Sequence, residues 1–134
     1  MSSGVYFFRF VDGEPVELDF ARFRRVIEPY VVAGGPDCGE TVLRAEDGGT
    51  VEFYARAEGT VGPKDLLAMH VSYGAVLDIL ARLADALGAV IVPVGGSALI
   101  LHEDQRRHLP SVIRADAIVV APTGPAVQAG FDAG

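Results

Sequence analysis

The chain contains no tryptophan, no asparagine, one cysteine and one lysine. With Cys38 alone, no intrachain disulfide can form, and one cysteine with three histidines cannot build the common structural zinc patterns. Lys64 stands beside ten scattered arginines against eighteen acidic residues, and the net charge is −7. Phosphate backbones need concentrated Lys and Arg, so nucleic acid is excluded as a partner. No apolar run reaches the ~18 residues that span a bilayer, which predicts no membrane insertion. The segment Met1-Ser2-Ser3-Gly4 lacks the basic and apolar regions of a signal peptide, and a cytoplasmic location is the expectation. The missing Asn and scarce Lys, beside abundant Ala, Gly, Val and Arg, read as the coding bias of a GC-rich bacterium.

Half of the 134 residues are hydrophobic, enough for one real core and too many for a disordered chain. Residues 5–10, Val-Tyr-Phe-Phe-Arg-Phe, form a β-branched and aromatic strand pattern. Asp12-Gly13-Glu14-Pro15 is a turn signal, and Asp19 is an N-cap candidate. Phe20, Phe23, Ile27 and Tyr30 recur at helical spacing, and Pro29 stops the helix near Glu28. Gly34 to Gly39 reads as a loop. Residues 41–45 and 50–55 flank Glu46-Asp47-Gly48-Gly49 as a hairpin.

Residues 59–64 read as a linker. A strand over 66–71 follows, then a helix capped by Ser72 with the stripe Val76, Leu80, Leu83 and Leu87, ended by Gly88. Residues 90–94 and 98–102 make a second hairpin around Gly95-Gly96-Ser97, and residues 115–121 have the pattern of one more strand. The expected fold is therefore α+β: one domain over 1–121, with an antiparallel or mixed sheet of six to seven strands and two main helices on one face. A doubled βαββ pattern suggests halves 5–56 and 66–102. Residues 122–134 are expected to form a flexible Gly/Ala/Pro-rich tail.

The candidate chemistry is sparse. His102, Asp104 and His108 bring metal-ligand types together, but a six-residue spacing does not put both histidines on one helix face, and a solvated turn is the plainer reading. Cys38 lies between Asp37 and Gly39, near Glu40, where acidic neighbours disfavour thiolate. His70 ends an apolar strand and is the histidine expected inside, as a satisfied core group or a general base. Gly95-Gly96-Ser97 continues into strand and lacks the helix a phosphate loop opens. Glu14, Glu17 and Asp19 are carboxylates at a turn and a helix start, where the helix dipole already accounts for them.

Tyr6, Phe8, Phe10 and Tyr54 either floor an open sheet face or fill a covered one. No catalytic residue, metal or cofactor is assigned. The leading expectation is a small acidic non-catalytic protein-interaction module with a basic partner. The alternatives are a small-molecule-binding domain with a pocket between the halves, lined by Tyr6, Phe8, Tyr54 and His70, and a small enzyme using His70 or Cys38. Exposed strand edges and the apolar Ala117-Ile118-Val119-Val120 segment also suggest a homodimer.

Overall fold

The structure, a computed structural model, describes residues 4–55 and 63–133; most of the expected linker lies outside them. Strand β1 (Val5–Val11) turns at Asp12 and Gly13, both at positive φ (52° and 85°), into the short β2 (Glu14–Val16). Two central residues at positive φ are what a tight two-residue hairpin demands. Helix α1 (Phe20–Ile27) begins where Asp19 accepts the Arg22 amide at 3.0 Å, and Pro29 converts its end into a 3₁₀ turn. Strand β3 (Val31–Gly35) follows, then the hairpin of β4 (Glu40–Arg44) and β5 (Thr50–Tyr54). After β6 (Leu66–Met69) come α2 (Ala75–Leu87), β7 (Val90–Pro93) and β8 (Leu99–Ile100). A 3₁₀ segment (Glu103–His108), α3 (Ser111–Arg114), β9 (Ile118–Val119) and α4 (Gly124–Ala133) complete the chain.

The fold is α+β with one mixed sheet in the order β3-β4-β5-β6-β1-β7-β8-β9, with β2 paired to the far half of β1. Neighbours are antiparallel except β8 and β9. Nine strands are present among the described residues, against an expectation of six or seven. The halves are also not a spatial repeat. β1 sits between β6 and β7, and β3-β4-β5 runs inward to β6 whereas β7-β8 runs outward from β1. β6 and β7 are both antiparallel to β1, hence parallel to each other, and α2 supplies the crossover such a pair requires.

Helices α1, α2 and α4 share one face of the sheet. Phe53 of β5 lies between Phe7 of β1 and Phe23 of α1, with ring centroids 5.9 and 5.7 Å apart, inside a core that also takes Leu43, Leu66, Leu80, Ile91 and Val127. The side of the seam between the halves that faces the helices is thus filled by Phe7, Phe53, Leu66 and Ala68. A smaller cluster on the opposite face joins Phe8, Phe10, Val90 and Ile100 to Leu109 and Ile113, so residues 103–117 fold back over that end of the sheet.

Two expectations require correction. The tail expected to be loose is α4, packed on α2. Val127 is buried, Phe131 meets Tyr73 at 6.4 Å, and Asp78 of α2 accepts the Gly124 amide at 2.7 Å. Ser72 does not cap α2; it accepts the Thr50 amide, and Asp47 from the β4–β5 turn accepts the Ala75 amide at 3.0 Å instead. Of the apolar segment 117–120, Ala117 and Val120 are covered within the chain, while Val119 of the edge strand β9 is 46% exposed.

Two outcomes follow. Asp78→Ala orphans the Gly124 amide and destabilises the chain by about 1 kcal/mol. Hydrogen exchange should accelerate in α4 while β5 keeps its protection. The Asp47 carboxyl is held below its usual range by the Ala75 amide first and the Gly49 amide second. A carboxylate depressed in the folded state adds stability above its unfolded pKa, and that contribution is lost as pH falls through the folded one. Asp47→Ala should therefore lower Tm by about 3–5 °C at pH 7, with the gap to wild type closing below about pH 4 in thermal melts.

Candidate functional site

Alternation along the strands puts one set of side chains against the helices and the other on the opposite face. Register then aligns Glu40, Tyr54, Leu67, Tyr6 and Val92 in one row across five strands. Val42, Glu52 and Met69 form the next row. Their neighbours Leu43, Phe53 and Ala68 are buried, which fixes the two rows on the face away from the helices. Tyr6, Phe8 and Phe10 stack in succession, with centroids 5.7 and 5.2 Å apart. Phe8 and Phe10 run beneath residues 103–117, but Tyr6 is not part of that cluster. One half of this face therefore has its own cover. The half holding Val42, Leu67, Met69, Tyr6 and Tyr54 has no such segment over it among the described residues; Tyr54 is exposed there and the other four side chains are half-buried.

A polar network borders the bare half. The Tyr54 hydroxyl donates to Glu52 Oε1 at 2.8 Å, and His70 Nδ1 lies 2.6 Å from Glu52 Oε2. The Glu52 carboxyl is held below its usual range, by the Tyr54 hydroxyl first and His70 second. Tyr54 is pushed up to about 12, chiefly because its proton is engaged by Glu52, with burial and the Glu40 charge adding to it. A phenol so raised stays protonated near neutral pH and acts as a donor, not a base. This is a fixed hydrogen-bond network around one carboxylate, without a nucleophile.

His70 corrects the expectation of a core histidine. Its side chain is 65% exposed. The residue adopts φ +52°, a left-handed conformation that turns the chain out of β6 and lets Val71 take the inward position. Tyr73 turns to α4 and not to His70. Of the residues read as ligand candidates, Tyr6 and Tyr54 share the bare half-face with Glu52, the carboxylate that holds His70, whereas Phe8 belongs to the covered half.

Cys38 is exposed at the far end of β4. It lies two residues before Glu40, and His70 follows Met69, the partner of Glu52. Strand spacing then separates Cys38 from His70 by roughly 15 Å, too far for a nucleophile and its base. His102 faces Asp85 at 3.5 Å, while His108 lies 3.6 Å from Asp12 and accepts its amide. Among the described residues, no three His, Cys, Asp or Glu side chains are grouped to hold a metal ion. Gln105 clamps the same segment, accepting the Leu101 and His102 amides and donating to the Gly88 carbonyl. Gly95 and Gly96 turn β7 into β8, with no helix following.

An open cleft of about 790 Å³ lies between β1, α1 and α2, lined by Arg9, Leu18, Asp19, Arg22, Asp85 and Leu87. Its Arg22 guanidinium donates to the Ala86 carbonyl at 3.0 Å and its Asp19 is occupied as a helix cap.

Sequence reasoning missed Glu52, Leu67 and Met69. The alternation of residues 50–54 already sets Glu52 on the face of Tyr54. The join to His70 comes from the β5–β6 register, which no local pattern carries. Comparison with known protein families, curated proteins and solved structures finds no match. No described helix is long and apolar enough to cross a membrane.

Proposed function

We propose that this chain is a small acidic, non-catalytic protein-interaction module of the bacterial cytoplasm, and that the bare half of its sheet is the docking surface. One observation carries the reading: an apolar sheet half-face that no segment among the described residues covers, fringed by Glu40 and Glu52, beside a half that residues 103–117 cover. Apolar floor with a polar rim is the anatomy of a protein interface. The net charge of −7 favours a basic partner, and like charges on this face oppose a second copy.

Photo-crosslinking in the native host tests the reading, with the crosslinking side chain at position 67 and, as control, at the fully solvated position 112. A discrete adduct with one basic protein from position 67 alone is expected. Equal labelling from both positions, or none from 67, would contradict it. A second reading, small-molecule binding, draws support from the cleft between α1 and α2; a ligand retained in native mass spectrometry and lost on Arg9→Ala would favour it.

A further inference from the structure

The rim chemistry specifies the partner more closely. Glu52 presents both oxygens on the open face, one taken by the Tyr54 hydroxyl and the other by His70 Nδ1. A guanidinium is planar, carries its donors as a fork and stacks on aromatic faces, so it can pair with a carboxylate while lying over a neighbouring ring. This chain sets a guanidinium against an aromatic ring at two other points, at one of them paired with a carboxylate. Arg24 lies 5.4 Å from the Phe20 ring centre while paired with Asp37, and Arg82 lies 5.5 Å from the Tyr30 ring centre while donating to its hydroxyl. At Glu52 the position of the cation is taken by an exposed histidine at φ +52°, a conformation uncommon for a residue other than glycine.

Resting on the docking reading above, we propose that the partner's anchor is an arginine guanidinium that takes the place of His70 at Glu52. The titratable and charged groups around the site are Glu52 and Tyr54 on β5 and Glu40 and Arg44 on β4; Glu40 is opposite Tyr54, and Arg44 is opposite Thr50. Tyr54 keeps its proton throughout. A guanidinium offers Glu52 a fork of donors where the His70 ring offers one nitrogen, so the arginine is the stronger partner for the carboxylate.

The test is an NMR titration of the ¹⁵N-labelled full chain with acetyl-Arg-Leu-Arg-Leu-Arg-amide and its lysine and citrulline counterparts at pH 7.5. The arginine peptide should shift amides of β4, β5 and β6 and bind about five- to tenfold more tightly than the lysine peptide. His70→Asn, which tolerates the same backbone conformation and removes the competing imidazole, should bind the arginine peptide more tightly than wild type. Lysine binding as tightly as arginine, or weaker arginine binding in His70→Asn, overturns the inference. If shifts then still map to β4–β6, the docking reading survives alone; if no basic peptide shifts those amides, both fall.

Discussion

Phe53→Ala should destabilise the chain by about 3–5 kcal/mol and lower Tm by roughly 10–20 °C. Phe53 is 1% exposed and joins three elements, meeting Phe7 of β1 and Phe23 of α1. Truncation removes the transfer energy of the ring and leaves a cavity that the sheet and two packed helices cannot close by a small shift. A domain of this size has roughly 5–15 kcal/mol in all, so the variant keeps little margin at 37 °C. Urea denaturation should show a lower midpoint with unchanged slope. Tyr54→Ala, one residue along and on the opposite face, should leave the midpoint nearly unmoved. Equal losses from the two substitutions would mean that β5 does not alternate between a core and a solvent face.

Leu67→Arg should weaken partner docking at least about 100-fold while folding is retained. Leu67 lies at the middle of the row from Glu40 to Val92, flanked by Tyr54 and Tyr6. An arginine there puts a buried like charge against a basic partner, the costliest change an interface centre can suffer. Val112→Arg, on the 85% exposed site of α3, is the matched control and should leave docking unchanged. Loss of docking in both variants would point to net charge and not to this surface.

The elements legible in the sequence are those whose stability is local. The stripe Val76, Leu80, Leu83 and Leu87 has helical period, and α2 follows it. The β4–β5 hairpin follows the alternation around Asp47-Gly48-Gly49. β3 was hidden because Gly34-Gly35-Pro36 has the composition of a loop. Gly34 at φ +66° lies so near Glu40 that a Cβ there would fall 2.3 Å from its carbonyl oxygen, a closeness only glycine permits. α4 was hidden because its two glycines and its proline have weak helical propensity, which offsets its alanines, and its start is bonded by Asp78 from a distant helix. Local signs of it existed in Thr123, whose hydroxyl accepts the Ala126 amide, and in Pro125 in the first turn.

The site was legible only in part, for the same reason. Tyr6 and Tyr54 announced an open face through period-2 alternation. The cover over Phe8 depends on residues 103–117 folding back, and the Glu52–His70 pair depends on strand register. His70 was misplaced because an apolar run before it implied an inward turn, whereas the left-handed residue reverses the alternation at that point.

Radical footprinting of the crosslinked partner complex, compared with the free chain, tests the docking surface most directly. Met69 and Tyr54 are intrinsically reactive and lie within or beside the bare half-face, whereas Tyr73 lies by α4 on the helix side. Docking as proposed predicts strong protection of Met69 and Tyr54 with Tyr73 unchanged. Protection of Tyr73 with Met69 and Tyr54 still reactive would contradict it.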